Sequence, residues 1–176
     1  MQTFRIANLN VVTVHETADR ICYILYPFEA LGQWVEEAAY KYDVSLAAIS
    51  GMEWDDDLTP WPAPGQPPGS PDFKGKAPEF FDTLINDVVP EVEQQLKIAK
   101  DAERTLAGVS LSGLFTLWQW LLDDTFHNII SLSGSFWYSG FAPWVESQPV
   151  PANKGRAYFL LGNQEARTRV RAFQPV

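Results

Sequence analysis

Short apolar runs alternate along the chain with segments in which apolar residues recur at helical spacing. Residues 20–26 form a nearly continuous apolar run, which is typical of a strand covered on both faces, and Pro27 stops it. Within 30–42 the apolar residues return every three or four positions while acidic residues face away, which predicts an amphipathic helix. A second apolar run at 44–49 predicts another buried strand.

The same alternation continues through the rest of the chain. Near-alternation of apolar and polar residues over 4–14 predicts one or two edge strands. Further strands are predicted at 105–109, 128–132 and 156–161, and helices at 111–122 and at 80–99, the latter interrupted near Pro90. The stretch from Trp54 to Pro71 is so rich in proline and glycine that we expect no regular structure there.

Strands that alternate with helices pair in parallel through right-handed crossovers. The pattern therefore predicts an α/β fold, with a mostly parallel central sheet flanked by helices on both faces. With 176 residues, of which 46% are hydrophobic, the chain has enough material for one buried core. We expect a single domain over 1–176, with a Pro/Trp-rich loop at 54–77 inside it.

Charge and composition narrow the classes of partner. The net charge of −9 argues against nucleic acid, because neutralising phosphates requires clustered Lys and Arg. The first residues lack the pattern of a signal peptide, and no apolar run is long enough to span a membrane. The single cysteine, Cys22, lies in an apolar run and is expected to be a structural thiol. A cytoplasmic protein without a membrane partner is the expectation.

Three adjacent acidic residues, Asp55–Asp57, raise the question of a metal site. Adjacent side chains point in different directions and no histidine flanks these three, so we expect them to cap turns in a solvated loop. No metal and no other cofactor is expected.

The strongest candidate for a catalytic motif is the segment Gly108-Val109-Ser110-Leu111-Ser112-Gly113-Leu114. A serine on a tight turn between a strand and a helix is the layout of a nucleophile elbow, which points a hydroxyl and the first helical amides at the same space. Ser112 stands where the motif usually has glycine, and a serine is small enough for that position. An ordinary turn with a solvent-facing serine is the alternative. A phosphate-binding loop is excluded, because Leu114-Phe115 stand where Lys and Ser or Thr are needed.

Glu165 follows the end of the last predicted strand, three residues after Gly162. Active sites of open parallel sheets lie beyond the carboxyl ends of the strands, and an acid there could orient a catalytic imidazole. A surface glutamate paired with Arg167 or Arg169 explains the same residue equally well.

Neither histidine suits the role of catalytic base. His127 precedes the strand predicted at 128–132, which puts it at the amino edge of the sheet, and His15 lies beside the first strands. No histidine follows Glu165, where the order serine, acid, histidine would place it.

Several tryptophans fall in loops or at strand ends, where they could form a substrate pocket over Ser110. They are Trp54, Trp61, Trp137 and Trp144. Plain packing between loops is the competing explanation.

The sequence resembles the putative-esterase branch of the α/β-hydrolase superfamily, which includes esterase D-like enzymes and siderophore esterases. The elbow segment carries the resemblance, together with Asp57-Leu58-Thr59-Pro60, Ser133-Gly134-Ser135-Phe136-Trp137 and Phe159-Leu160-Leu161-Gly162-Asn163-Gln164-Glu165. The resemblance implies an α/β-hydrolase fold in which Ser110 is the nucleophile and Glu165 the acid. It also implies that the oxyanion hole uses the backbone amides of Leu111 and Phe28.

Members of this family continue with a further strand, a histidine-bearing loop and a helix. The resemblance therefore implies a C-terminally incomplete domain whose catalytic histidine lies beyond residue 176. An uncovered sheet edge points the same way, although the partner in a homodimer would cover it equally well.

Two functional hypotheses follow. The first is a serine hydrolase that cleaves small-molecule carboxylic esters through an acyl-enzyme on Ser110. The second is a catalytically inactive binding or assembly module on the same scaffold. An acyltransferase, in which an alcohol replaces water, is also consistent with the motif.

Overall fold

A computed structural model describes residues 1–15, 17–27, 34–149 and 155–165, and the structural statements below concern these residues. Seven strands form one sheet in the order β1-β2-β4-β3-β5-β6-β7. The strands are β1 Gln2–Ile6, β2 Leu9–Val14, β3 Arg20–Leu25, β4 Ser45–Ser50, β5 Glu103–Val109, β6 Asn128–Leu132 and β7 Ala157–Leu160. From β4 to β7 all neighbours are parallel, whereas β1 and β2 form an antiparallel hairpin added beside β4. The mostly parallel sheet predicted from the alternation is confirmed.

The expectation of edge strands over 4–14 is correct for β1 and wrong for β2. β2 pairs with β1 on one side and with β4 on the other, so it lies inside the sheet. Its Leu9, Val11 and Val14 are buried, and so is the polar Thr13. Alternation indicates the two faces of a strand but carries no information about how many neighbours the strand has.

Helices cover both faces of the sheet, as predicted. The helices are α1 Trp34–Tyr42, α2 Trp54–Asp57, α3 Ala77–Thr83, α4 Val89–Leu96, α5 Leu111–Leu122 and α6 Phe141–Ser147. Along β3, Tyr23 joins the larger core cluster with residues of α3, α4 and α5, while Cys22 contacts the smaller cluster to which α1 contributes Val35 and Ala39. Because successive side chains of a strand alternate between faces, β3 anchors both layers.

The helix predicted over 80–99 is longer at its start and interrupted earlier than expected. It begins with α3 at Ala77, passes through a π-helical turn at Leu84–Val88 and continues as α4. Proline lacks an N–H and its ring crowds the preceding turn, so a wider turn just before Pro90 accommodates it. The helix ends where Lys97 adopts a left-handed conformation at φ 53°.

The segment expected to lack regular structure contains one helical turn, α2. Its local bonds explain the difference, since the Asp56 and Asp57 amides donate to the Glu53 carbonyl and the Asp57 carboxylate accepts from the Glu53 amide at 2.8 Å. The Asp56 carboxylate accepts from the Lys74 ammonium at 2.7 Å. These contacts agree with the turn-capping role expected for the acids. Across the described residues no group of three or more His, Cys, Asp or Glu could hold a metal ion.

The Cys22 thiol and the lengths of the helices can also be compared with the expectations from the sequence. Burial raises the pKa of the Cys22 thiol to about 12, which suits a structural thiol rather than a nucleophile. None of the helices in the described part of the chain has the length and apolar character needed to cross a lipid bilayer.

Candidate active site

The candidate nucleophile and the two histidines lie at opposite edges of the sheet. Ser110 follows the carboxyl end of β5 and immediately precedes α5. His127 precedes β6, and its Nδ1 accepts a hydrogen bond from the Arg104 amide at 3.2 Å, near the start of β5. His15 follows β2, which runs antiparallel to β4, so it also lies at the amino edge. Both histidines are therefore too far along the strands to reach Ser110.

Ser110 adopts a strained backbone conformation, with φ 57° and ψ −121°. Non-glycine residues rarely occupy positive φ, and such strain persists only where the surroundings hold it. Here the Ser110 amide donates to the Leu132 carbonyl at 3.0 Å, and the Ser110 carbonyl accepts from the Leu114 amide at 3.1 Å. One bond ties the turn to β6 and the other to α5, so a sharp turn with Ser110 at its apex joins the strand to the helix; its role as a nucleophile elbow stays a prediction.

Close approach of strand and helix requires small residues on both sides of Ser110. A Cβ at Gly108 would lie 2.3 Å from the Ser112 carbonyl oxygen, and a Cβ at Gly113 would lie 2.8 Å from the Ser131 hydroxyl. The first overlap is with backbone and requires movement of the turn, whereas the second is with a side chain of β6 that would have to rotate away.

Ser112 stands in the usual glycine position of the motif. It is fully buried, and its hydroxyl contacts three backbone groups. Its hydroxyl accepts from the Val109 amide at 2.7 Å and lies 3.2 Å from the Leu25 carbonyl and 2.9 Å from the Val109 carbonyl. The side chain thus connects the elbow to the end of β3, where the chain leads towards the predicted oxyanion loop.

Of the two predicted oxyanion donors, only Leu111 lies in the described part of the chain. Leu111 is the first residue of α5, and N–H groups in the first turn of a helix have no acceptor within that helix. Its amide therefore has no acceptor within α5, and its role as an oxyanion donor stays a prediction. Phe28, the second predicted donor, lies outside the described residues.

Ser135 contacts the candidate nucleophile, and the sequence reasoning did not single it out as a candidate site residue. Its hydroxyl lies 3.1 Å from the Ser110 hydroxyl, its amide donates to the Ser110 carbonyl at 3.0 Å, and its side chain is buried. The available signal was position, because Ser133-Gly134-Ser135 follows the carboxyl end of a strand next to the elbow strand.

Glu165 lies at the same edge but contacts Ser133 rather than Ser110. Its Oε1 accepts hydrogen bonds from the Ser133 hydroxyl and from the Gly162 amide, the latter at 2.6 Å. These two bonds hold the pKa of the Glu165 carboxyl below its usual value, so the group is a carboxylate at neutral pH. The competing partners Arg167 and Arg169 lie outside the described residues.

The loop aromatics have different surroundings. Trp61 donates its indole N–H to the Ser139 carbonyl at 2.9 Å and packs against the rings of Tyr138, Phe141 and Trp144. Trp137 helps to line a cavity of about 130 Å³. The cavity's other lining residues are Pro64, Gln66, Phe73, Tyr138 and Ser139. Trp54 begins α2 and packs against the main core. A role in a substrate pocket stays a prediction for Trp54, Trp61 and Trp137.

Similar proteins are found by sequence and by structure. YbbA of Bacillus subtilis, an uncharacterized protein, is 28% identical over 116 residues, which are 65% of this chain and 46% of YbbA. The chain therefore matches less than half the length of this curated relative. The BES protein from Bacillus cereus superposes with a TM-score of 0.71 at 20% identity, covering 92% of this chain and 75% of BES. The siderophore hydrolase EstA from Aspergillus nidulans superposes with a TM-score of 0.63 at 17% identity, covering 93% of this chain and 67% of EstA.

The structural likeness establishes the α/β-hydrolase fold that the resemblance implied. Residues 24–171 also match the family described as Putative esterase. The match includes the elbow, the Ser133–Ser135 turn and Glu165, and it covers most of the chain. The chain therefore belongs to the Putative esterase family.

Proposed function

We propose that the protein is a serine hydrolase that cleaves carboxylic esters of small molecules through an acyl-enzyme on Ser110. The observation that carries the proposal is the strained turn at Ser110, with φ 57°, between β5 and α5. A serine stands there although glycine would adopt that φ without strain, which supports a functional role for its hydroxyl. Family membership and the designation of EstA as a siderophore hydrolase support the same class of reaction.

In the proposed reaction, the Ser110 Oγ attacks the ester carbonyl carbon while its proton passes to a base. The new Oγ–C bond forms as the carbonyl π pair moves onto oxygen, where the Leu111 amide donates to the oxyanion. The tetrahedral intermediate collapses, the C–O bond to the alcohol breaks, and the alcohol leaves with the proton from the base. Water then repeats the sequence on the acyl-enzyme and releases the acid.

The base in this proposal is a histidine beyond residue 176, oriented by the Glu165 carboxylate. The motivation is the position of the histidines in the sequence, since His15 and His127 both lie at the amino edge of the sheet. A carboxylate already held by two donors is suited to fix the ring orientation of an imidazole and to stabilise its charged form.

A fluorophosphonate probe tests the nucleophile directly. Full-length protein is incubated with the probe, its intact mass is measured, and the adduct is mapped by peptide analysis. We expect a single adduct on Ser110, no adduct in Ser110→Ala, and normal labelling in Thr3→Ala, whose side chain is exposed on β1, the outermost strand of the sheet. Hydrolysis of p-nitrophenyl acetate should fall to background in Ser110→Ala at an unchanged melting temperature. Turnover equal to wild type in that variant would rule out the assignment.

The location of the two histidines also favours a second candidate, a binding or assembly module without catalysis. Without a base the serine hydroxyl stays protonated and reacts poorly. A folded full-length protein that neither takes up the probe nor hydrolyses the ester would support this second candidate and contradict the first.

A further inference from the structure

The Ser133–Ser135 turn carries two hydroxyl groups that contact different members of the proposed site. The Ser135 hydroxyl lies 3.1 Å from the Ser110 hydroxyl. The Ser133 hydroxyl donates to the Glu165 carboxylate. One tripeptide at the end of β6 therefore contacts both the nucleophile and the acid.

The backbone of this turn is fastened on both sides. The Ser133 amide donates to the Leu160 carbonyl of β7 at 2.7 Å, and the Ser135 amide donates to the Ser110 carbonyl at 3.0 Å. Ser133 adopts a left-handed φ of 47°. Between the two serines, a Cβ at Gly134 would lie 2.6 Å from the Ser131 hydroxyl. The turn is thus tightly constrained, and β6 lies between the strands that carry Ser110 and Glu165.

We propose that the Ser133–Ser135 turn positions the nucleophile and the acid relative to each other, with Ser135 setting the Ser110 hydroxyl and Ser133 setting the Glu165 carboxylate. The inference rests on the proposed function and adds two residues to it. Ser135 touches a reacting atom and is therefore a catalytic residue, whereas Ser133 acts through Glu165 and is a positioning residue.

The chemistry expected of Ser135 follows from its contact with the Ser110 Oγ. As Ser110 gives its proton to the base, negative charge develops on Oγ, and the Ser135 O–H donates a hydrogen bond to it. The Ser135 proton stays on Ser135 throughout, so the group stabilises the attacking oxygen without taking part in net proton transfer. Because Ser135 is buried, water does not compete well for this bond.

The role expected of Ser133 is to orient the Glu165 carboxylate. Its hydroxyl and the Gly162 amide both donate to Oε1 of Glu165, which restricts the orientation of the carboxylate that the proposed function assigns to the imidazole. Orientation errors of this kind lower the rate of the chemical step more than the affinity for substrate.

The test measures kcat and KM for p-nitrophenyl acetate, and the rate of fluorophosphonate labelling, in full-length Ser135→Ala and Ser133→Ala. We expect kcat to fall about 10- to 100-fold in Ser135→Ala and about 10-fold in Ser133→Ala. In both variants KM should stay within about twofold of wild type, because the turn acts on the chemical step. Ser133→Asn, which tolerates the left-handed φ and keeps a donor in its amide N–H, should recover part of the activity, and Thr3→Ala on β1 is the matched control.

Ser135 is buried, so Ser135→Cys supplies a variant of similar size with a weak donor in case Ser135→Ala fails to fold. It should lose kcat to a similar extent at a normal melting temperature. Wild-type kcat in a folded Ser135 variant, or a change confined to KM, would overturn the role of Ser135. Equal activity of Ser133→Ala and wild type would overturn that of Ser133. Absence of labelling in the wild-type protein would instead reject the proposed function itself.

Discussion

At the scale of single residues, the site depends on a few positions where only a small side chain fits. Gly108 faces the backbone of the first turn of α5, and a Cβ there would lie 2.3 Å from the Ser112 carbonyl oxygen and 2.4 Å from its carbon. These are backbone atoms of the elbow itself, so they cannot move without displacing Ser110. Stability and function are therefore coupled at this residue.

Gly108→Ala should destabilise the protein by about 3 kcal/mol, because the added methyl group overlaps backbone that has no room to move. It should also abolish labelling of Ser110. Gly69→Ala is the control: the added Cβ would meet nothing within 4 Å, and only its φ of +95° disfavours alanine, at a cost of about 1 kcal/mol. Urea unfolding measures the free energy of unfolding of both variants. Equal losses in the two variants would contradict the steric explanation.

The second prediction for single residues concerns Ser112, which stands where the motif usually has glycine. Ser112→Ala should cost about 1–2 kcal/mol, because the Val109 amide loses its acceptor inside the protein. Ser112→Gly, which restores the usual residue, should cost more, since glycine adds backbone freedom within the first turn of α5. Chemical denaturation distinguishes the two variants. A Ser112→Ala variant as stable as wild type would show that the hydroxyl contributes nothing.

At the scale of elements, α4 is joined to the sheet by a half-buried polar cluster. The Arg104 side chain on β5 forms an ion pair with Glu93 on α4 at 2.6 Å, and the Tyr23 hydroxyl on β3 donates to the same carboxylate at 3.1 Å. The two charged side chains are only 17% and 16% exposed. Buried ion pairs are costly to break, because removal of one partner leaves the other without compensation.

Arg104→Ala should lower the free energy of unfolding by about 2–4 kcal/mol, since Glu93 would remain largely buried without its cation. Arg20→Ala is the matched control, because its ion pair with Asp43 is 47% and 66% exposed and should contribute at most about 1 kcal/mol. Thermal and urea unfolding give both values. Similar losses in the two arginine variants would mean that burial does not determine the strength of these pairs.

Several elements could be predicted closely from local pattern. The strand expected at 105–109 is part of β5, and the helix expected at 111–122 coincides with α5, since a continuous apolar run followed by helical spacing is a strong local signal. Pro90 likewise marked the interruption of the long helix. The sequence did not indicate that the π-helical turn would precede the proline, because a wider turn depends on how the two helical segments pack.

At the scale of the whole molecule, the candidate site residues and the two histidines lie at opposite ends of the strands. The carboxyl edge holds Ser110, Ser133, Ser135 and Glu165, while His15 and His127 lie at the amino edge. For Ser110, Glu165 and His127 this separation follows from the parallel direction of their strands, so it was available from the sequence. His15 lies at the amino edge because β2 is antiparallel to β4, which the sequence did not indicate. Strand direction therefore argues from the sequence alone against His127 as the catalytic base.

The strand order decides which groups at the carboxyl edge meet. β6 lies between β5 and β7, and the turn after it therefore reaches both Ser110 and Glu165. No local pattern distinguishes Ser135 from other serines in loops. Its contact with Ser110 joins residues 25 positions apart, which only the folded chain brings together.

The sequence by itself determined the α/β alternation, the sharp turn from strand to helix at Ser110 and the end of the strands at which Glu165 lies. These properties depend on the hydrophobic period, on the need for small residues beside a sharp turn and on strand direction. Each of them can be recognised within a short stretch of sequence. Tertiary structure alone decided that β2 is an interior strand, that Ser112 bonds the end of β3 and that Ser135 contacts the nucleophile. These depend on which distant segments become neighbours, and packing of the whole core selects them.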